Sequence, residues 1–503
     1  MCYIGLDAGT SGIKALAFDE KGNVLASSHF HYPLITPRDG WSELSPEDIW
    51  NGARHVLANV AAQLNCPVRA IAVSSTGQAV VPIDAKGRPL YRFITTVDAR
   101  TDAQNRWWRE HMDEKEMFSR TGLPFSPIYT VNKIMWLREH EPEIFRKTWK
   151  FLCVEDYLNW KLSGETVIDY SVASRGMLLD IRSFQWDDTI LQIAGIRPSQ
   201  LSQLARATAH LGKIRRELAE ELHLPASADI IVGSHDQTCG TIGCGTIRTG
   251  ETMNATGTVE VLMVVKDGLP DPDGVLRCHF PCIPHVIEGK YSIMSINQNA
   301  GVLLKWYKNL FCQAEWDYAV GQQLDPYRYI IESSSNQAAD VFVLPHINGC
   351  ETPISDPVSS AAIVGMRAHH TKADITRAIL DSMAYDLRQN IEALSNIGIS
   401  IDTIHAIGGG AKTGKLLQLK ADCTQKIIRT PAVTEAASLG AAILAAVGAG
   451  AYPDVETAVQ NMVRMGTAYY PNEKNREAYD RGYQVFCSLY DHLKAINHGI
   501  RRA

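Results

Sequence analysis

The sequence predicts an α/β protein built of two similar halves, and three features support this prediction. Segments typical of strands and of helices alternate along all 503 residues. The loop Asp7-Ala-Gly-Thr10 follows a predicted strand near the start, and the similar loop Ala255-Thr-Gly-Thr258 follows another in the second half. The composition is that of an ordinary globular chain, with 45% hydrophobic and 21% charged residues. We therefore expect a duplicated architecture with a cleft between the halves.

The first half opens with strands. Short apolar runs bounded by turn residues predict five of them, at 3–6, 14–18, 24–30, 69–74 and 230–233. A helix is predicted over 46–62, because Ser45 is a good N-cap and Pro46 suits the first helical position. The strands 69–74 and 230–233 end in polar or glycine residues, where a site can open.

The second half begins after a group of glycines between 243 and 251 that interrupts the pattern. We place the domain boundary there, which gives domains 1–247 and 248–503. A strand starts at Thr252 and another covers 259–265. Residues 436–450 are small and apolar, but a membrane span needs about 20 such residues, so a buried, closely packed helix is expected instead.

Charge and cysteine content exclude several classes of protein. Lys and Arg number 49 against 55 Asp and Glu, so the net charge of −6 leaves no basic surplus for a nucleic-acid partner. Eleven scattered cysteines lack the spacing of a disulfide framework. The first residues run directly into a strand without the pattern of a secretion signal. We expect a cytoplasmic protein that is not embedded in a membrane.

The loop after the first strand carries groups that suit a phosphate. Backbone N–H groups of a glycine turn, the hydroxyls of Thr10 and Ser11, and the ammonium of Lys14 can hold phosphate oxygens. Asp7, at the end of the strand, can hold Mg²⁺ directly or through water. The alternative is a plain hairpin turn that needs glycine for its backbone angles.

A second glycine-rich loop, Gly408-Gly-Gly-Ala-Lys412, follows a strand that ends at Ile407. Its glycines allow a nucleotide to approach the backbone closely. Residues 409–415 also match G-x-x-x-x-G-K, but Leu416 stands where a P-loop has the Mg²⁺-binding Ser or Thr. We reject a P-loop and retain a nucleotide contact at Gly409, Gly410, Ala411 and Lys412.

Asp236 ends the buried strand near the domain junction, within Gly233-Ser-His-Asp-Gln237. A carboxylate there can accept a hydroxyl proton during phosphoryl transfer. A turn in which the Asp side chain bonds to the backbone is an equally good interpretation of the residues alone. Cys278, Cys282 and His285 are too tightly clustered for a standard zinc site, so we do not predict one.

Six segments in order make these observations specific: Asp7-Ala-Gly-Thr10, Gly40-Trp-Ser-Glu43, Lys133-Ile-Met-Trp-Leu137, Ala361-Ala-Ile-Val-Gly-Met366 with the following Asp374-Ile and Ala378-Ile-Leu-Asp381, Gly408 through Lys412, and Gly440-Ala-Ala442. Over nearly its whole length the chain resembles the FGGY carbohydrate kinases. The resemblance implies a two-domain actin-like (ribonuclease H-like) ATPase fold with the active site in the interdomain cleft. It also implies ATP, Mg²⁺ and a small-molecule sugar as ligands, and a homodimer.

The resemblance further implies a role for each candidate residue. Asp236 is the expected general base, and Asp7 organises Mg²⁺. Thr10, together with Thr256, Gly257 and Thr258 from the second half, holds phosphates. The loop 409–412 flanks the adenosine. Residues 1–247 would then bind the sugar and residues 248–503 would bind ATP.

The sugar is the least determined part of the prediction. Gln78, Asp98 and Gln237 are expected near its hydroxyls, although Asp98 and Arg100 can equally form a structural ion pair. Gly77 and Gln78 stand where glycerol kinases carry Arg-Glu and xylulose kinases carry Met-His. A ketose, either a pentulose or a hexulose, is the first expectation, and a sugar alcohol such as a tetritol or glycerol is the second. A non-catalytic nucleotide-binding sensor on the same fold is the alternative of another class.

Overall fold

The computed structural model of the chain describes residues 1–338 and 340–502, and its first half starts with an antiparallel hairpin. The strands of this half are β1 (Cys2–Ala8), β2 (Gly12–Phe18), β3 (Val24–His31), β4 (Glu43–Leu44), β5 (Val68–Ser75), β6 (Val81–Ile83), β7 (Phe93–Ile94), β8 (Lys150–Leu152), β9 (Val167–Asp169), β10 (Leu179–Asp180), β11 (Gln185–Trp186), β12 (Gln203–Ala205), β13 (His210–Lys213) and β14 (Asp229–His235).

The helices of the first half alternate with these strands along the chain. They are α1 (Pro46–Gln63), α2 (Asp102–His111), α3 (Glu114–Thr121), α4 (Thr130–His140), α5 (Pro142–Lys147), α6 (Val154–Ser163), α7 (Tyr170–Ser174), α8 (Asp188–Ala194), α9 (Arg216–Leu222) and α10 (Asp236–Gly243), with a 3₁₀ turn at Pro198–Gln200. The predicted cap of α1 is confirmed, since the hydroxyl of Ser45 accepts the N–H of Asp48 at 3.1 Å.

The second half has its own strands and helices. The strands are β15 (Glu251–Thr256), β16 (Glu260–Asp267), β17 (Cys282–Pro284), β18 (Lys290–Asn297), β19 (Phe342–Leu344), β20 (Ala362–Val364), β21 (Thr403–Ile407), β22 (Ile427–Pro431) and β23 (Met465–Tyr469). The helices are α11 (Pro272–Arg277), α12 (Ala300–Phe311), α13 (Gln313–Gly321), α14 (Pro326–Glu332), α15 (Lys372–Asn396), α16 (Gly414–Thr424), α17 (Ala436–Gly448), α18 (Val455–Met462) and α19 (Arg476–Arg502), with 3₁₀ turns at Gly409–Lys412 and Glu473–Asn475.

Five strands of each large sheet follow the same order. The first is β13-β14-β5-β1-β2-β3 and the second is β17-β18-β16-β15-β21-β22-β23. In each half three antiparallel strands that are neighbours in the sheet are followed by two strands parallel to the first of them. The order β3-β2-β1-β5-β14 thus corresponds to β18-β16-β15-β21-β22. The duplication that two short Gly-Thr loops predicted is thus present in the topology.

Helix α17 joins the halves. It follows β22 in the chain but packs on β1 and β5 of the first sheet and on α10. A side chain at Gly440 would overlap the carbonyl oxygen of Cys239, and one at Gly5 would overlap that of Ser438. Glycine is therefore required where α17 meets strand β1 and where it meets helix α10, which confirms the closely packed helix predicted at 436–450. Across the described residues, no helix combines the length and apolarity that a membrane crossing requires.

Candidate active site

Asp7 lies at the end of β1, where β1 turns into β2. Its side chain is only 11% exposed, and its Oδ1 accepts the hydroxyl of Ser74 at 2.8 Å. Burial raises the pKa of this carboxyl, while Lys14 and Ser74 act in the opposite direction. The segment predicted to hold phosphate forms a hairpin turn, in which the Gly9 N–H donates to the oxygen of Gly12 at 2.9 Å. Its contact with phosphate stays a prediction. Thr10 and Ser11 are exposed at its tip.

Lys14 connects the two halves at this point. Its ammonium lies 3.5 Å from Oδ2 of Asp7 and also donates to Glu435, which stands immediately before α17. Both carboxylates raise the pKa of Lys14 against the effect of burial. The sequence analysis missed Glu435, because nothing near it in the chain marks it as part of a site.

Asp236 is the first residue of α10, directly after the buried strand β14. Its side chain is 28% exposed and lies 3.4 Å from Nε2 of His235. Burial, and next the negative charge of Asp7, raise the pKa of Asp236 to about 7, although Arg175 and Lys14 lower it. His235 is buried and its pKa is lowered to about 3, so the imidazole is neutral near pH 7.

Several buried polar atoms beside Asp236 have no hydrogen-bond partner within the described residues. They are Nδ1 of His235, Oε1 of Gln237, Oγ1 of Thr238 and Nη1 of Arg175. Native proteins leave few such groups unsatisfied, and unsatisfied groups clustered at one place indicate a site that a polar ligand completes. Gln237, predicted to contact the substrate, belongs to this cluster.

Gln78 contacts Arg175 and has a rare backbone conformation. Its φ of 63° is left-handed, and its carbonyl oxygen accepts the ammonium of Lys133 at 2.7 Å. With its oxygen toward Arg175, the Gln78 side chain accepts Nε of that residue at 2.7 Å and its nitrogen donates to the oxygen of Gly77 at 2.9 Å. Burial lowers the pKa of Lys133 to about 7.

Asp98 does not have the contacts of a substrate ligand. Its carboxylate accepts the backbone N–H of Ser42 at 2.6 Å and forms a two-point pair with Arg100 at 2.7 Å. Arg100 also donates to Glu43 at 2.8 Å and lies 3.7 Å above the ring of Trp41. The side chain of Asp98 is fully buried with its oxygens engaged. The structural ion pair, left open by the sequence, therefore describes Asp98.

A buried ion pair between Lys420 and Glu260 supports the loop 256–258 of the second half. Lys420, fully buried, donates to Glu260 at 2.7 Å, to Thr256 Oγ1 at 2.9 Å and to Asn254 Oδ1 at 3.0 Å. The hydroxyl of Thr256 is thus engaged inside the protein. Gly257 and Thr258 are the exposed members of the predicted phosphate loop.

The glycine-rich loop lies against this hairpin. A side chain at Gly410 would come within 2.6 Å of Cβ of Thr256, and one at Gly408 within 2.7 Å of its carbonyl oxygen. Gly408 also has a φ of 82°. Residues 409–412 form a 3₁₀ turn with Gly409 and Lys412 exposed. The sequence-predicted residues therefore form two groups, one around Asp7 and Asp236 and one around Thr256 and the glycine-rich loop.

Comparison with known proteins finds relatives over nearly the whole chain. Residues 2–243 match the FGGY family of carbohydrate kinases, N-terminal domain, and residues 252–449 match its C-terminal domain. A xylulose kinase of Bacillus subtilis is 28% identical over 99% of this chain and 98% of its own length, and a gluconokinase of the same organism is 28% identical over 97% and 95%. The crystal structure of xylulose kinase from Rhodospirillum rubrum superposes with a TM-score of 0.88 at 26% identity, covering 99% of this chain and 100% of that one.

Proposed function

Because the chain belongs to the FGGY family of carbohydrate kinases and is thus an ATP-dependent sugar kinase, we propose that it phosphorylates a ketose with Asp236 as the general base. In this proposal Asp236 takes the proton of the acceptor hydroxyl as the hydroxyl oxygen attacks the γ-phosphorus. The bond from that phosphorus to the bridging oxygen of ADP breaks, and ADP leaves with the electron pair.

The observation that carries the proposal is the environment of Asp236. A general base works best when its pKa lies near the working pH, and burial beside Asp7 brings the pKa of Asp236 to about 7. The neutral His235 at 3.4 Å does not compete for the proton. The unpartnered oxygen of Gln237, in the next position, supplies an acceptor for a second hydroxyl of the sugar.

The residues present suit a magnesium ion. Asp7 offers a carboxylate oxygen at the end of β1, and oxygen is the ligand type that Mg²⁺ prefers. When bound, Mg²⁺ offsets the negative charge of the phosphates. Asp7 is the residue proposed to hold it, and Thr10, Ser11 and Lys14 are proposed to hold phosphate oxygens at the first hairpin.

The two halves are assigned different ligands in this proposal. Residues 1–247 bind the sugar, because Asp236 and the unpartnered atoms of His235, Gln237 and Thr238 next to it lie there. Residues 248–503 bind ATP, with Gly257 and Thr258 at the phosphates and the loop 409–412 beside the adenosine. Close contact between that loop and Thr256 would give one nucleotide access to both.

A ketose is favoured as acceptor because several relatives that match the whole chain are named xylulose kinase. Gluconokinases match over nearly the same length, so a sugar acid is the second candidate. Sugar alcohols are the remaining alternative within the kinase class. If the protein is instead a nucleotide sensor without turnover, it should bind ATP and release no ADP with any acceptor.

The test measures ADP release from Mg·ATP with ketoses, sugar acids and polyols in parallel. Asp236→Asn should lower the best acceptor's rate by about 100- to 10,000-fold, the range for general acid–base catalysis. Asp102→Asn is the matched control, since Asp102 is the exposed first residue of another helix. An Asp236→Asn variant as fast as the control would exclude Asp236 as the base. Tight ATP binding with no stimulation by any acceptor would favour the sensor.

A further inference from the structure

Arg175 is a buried cation that the proposed reaction leaves without a role. It is 2% exposed, and its guanidinium forms no ion pair with any carboxylate in the described part of the chain. Two other buried cations are matched, Arg377 by Asp381 at 2.9 Å and Lys420 by Glu260 at 2.7 Å, and the buried Lys133 donates to backbone carbonyl oxygens. An unmatched buried charge is costly, and proteins keep such costs mainly at functional sites.

The guanidinium is fixed on two sides. Nε and Nη2 both donate to the side-chain oxygen of Gln78, the former at 2.7 Å. The plane lies near the ring of Tyr129, with Cζ 5.7 Å from the ring centroid. Gln78 itself is held through its carbonyl oxygen by Lys133 at 2.7 Å and Thr130 at 3.3 Å. Arg175 is therefore a rigid donor, and only Nη1 lacks a partner.

Arg175 also lies beside the reaction centre. A side chain at Gly77 would come within 2.8 Å of the His235 ring and 3.3 Å of Cβ of Arg175, so only glycine fits between them. Its positive charge lowers the pKa of the neighbouring Asp236, which burial raises. Arg175, whose Nη1 is unpartnered, thus acts on Asp236 through its charge, and Gln237, whose oxygen is unpartnered, is the residue after Asp236.

The geometry points to Arg175 as a specificity-determining residue whose Nη1 donates to an acceptor-only oxygen of the substrate, either a ketose carbonyl or a carboxylate of a sugar acid. This inference rests on the proposed function. A carbonyl or carboxylate oxygen accepts without bringing a proton of its own, so it matches a residue that can only donate. A hydroxyl in the same place must direct its proton to another acceptor, and the pocket would therefore disfavour the corresponding polyol.

The experiment compares matched acceptors that differ only in this group: xylulose with xylitol, and gluconate with glucitol. We expect wild type to prefer one carbonyl or carboxylate compound over its polyol in kcat/KM. Arg175→Met should reduce that preference by about 10- to 100-fold, the value of one hydrogen bond to a charged group, mainly through KM of the acceptor. KM for ATP should stay unchanged. The two pairs distinguish the carbonyl from the carboxylate.

Two controls separate specificity from structure. Arg109→Met removes an arginine that also lies near a ring, that of Phe125 at 6.0 Å, and donates to a carbonyl; its preference should equal wild type. Arg175→Lys keeps the charge if the Met variant does not fold, and should retain part of the preference. Equal loss for both members of each pair, or no preference in wild type, would overturn the inference.

Calorimetric binding of the same four compounds measures the preference without turnover. If no acceptor stimulates ADP release, the proposed function fails, yet a preference in binding that Arg175→Met abolishes still supports Arg175 as a carbonyl or carboxylate donor. Absence of binding by all four compounds would overturn it.

Discussion

The first hairpins of the two halves, β1–β2 and β15–β16, have the same construction and opposite chemistry. Each ends in a three-residue loop that begins Gly-Thr, at 9–11 and at 257–259. Each first strand pairs antiparallel on one side and parallel on the other. The differences therefore lie in side chains at matching positions of one backbone plan.

One register position makes the contrast concrete. The position compared lies one pair before the end of the hairpin. In the first half it is Asp7, which faces Lys14 on the antiparallel strand β2 and Ser74 on the parallel strand β5. The corresponding residue of the second half is Ala255, which faces Val261 and Ile407. The first half has a charged, hydrogen-bonded cluster where the second half is apolar. The strand order is shared, so it cannot decide which half does chemistry.

The largest expected effect is on stability. It concerns the Lys420–Glu260 ion pair, which supports the second hairpin in place of a charged cluster like that around Asp7. Lys420→Met would leave the buried Glu260 carboxylate unpaired, and breaking a buried ion pair from one side costs about 3–5 kcal/mol. Denaturant unfolding should show that loss in the transition of the second half, and KM for ATP should rise because Thr256 loses its lysine contact.

The double variant Lys420→Met, Glu260→Leu is the control for this prediction. Removing both charges removes the penalty, so its stability should return most of the way to wild type. A single Lys420→Met variant as stable as wild type would contradict the view that this ion pair supports the loop. It would also make the second half less different from the first.

The next effect concerns the charged cluster itself. Asp7→Asn should lower kcat by about 100-fold, as removal of one preorganised electrostatic group does. Since the charge of Asp7 raises the pKa of Asp236, its loss should lower that pKa. Wild-type kcat/KM should fall as pH decreases through about 7, where Asp236 becomes protonated, and in the variant the fall should begin at lower pH.

A pH profile of both enzymes, measured with saturating Mg·ATP, checks this. Ala255→Ser is the matched change in the second half, because it places a polar group at the corresponding apolar position without removing a charge. It should leave the profile in place. If the pH profile of Asp7→Asn is not shifted, the charge of Asp7 does not act on Asp236, and the assignment of both residues to one site is contradicted.

Much of the fold could be predicted from the sequence because its strands are short apolar runs with clear boundaries. The strands predicted at 3–6 and 69–74 correspond to Cys2–Ala8 and Val68–Ser75, each extended by one to two residues at its ends. The predicted bounds of helix α1 agree with the structure within one residue, because Ser45 and Pro46 mark its start. These signals are local, so the sequence is sufficient to find them.

The site was less accessible from the sequence where its contacts join distant segments. Arg175 and Gln78 are far apart in the chain and meet only through the fold. The same holds for Lys14 and Glu435, which bridge the halves. Asp98 was expected near the sugar hydroxyls or in an ion pair with Arg100, and the choice between the two needed the burial of that pair. Sequence motifs identify candidate residues, whereas burial and hydrogen-bond or ion-pair partners show which role each residue has.

The smallest expected effect tests the junction through which the two halves influence each other. Helices α10 and α17 each follow a parallel strand of their own half, and they pack together where Gly440 meets Cys239. Gly440→Ala forces the helices apart and should cost about 1–3 kcal/mol of stability. Gly499→Ala, in α19 with open space around it, should instead gain about 0.5–1 kcal/mol. If the α10–α17 contact couples the two halves during turnover, Gly440→Ala should also lower the kcat of the folded enzyme. A change in stability with unchanged kcat would show that the contact only stabilises the fold.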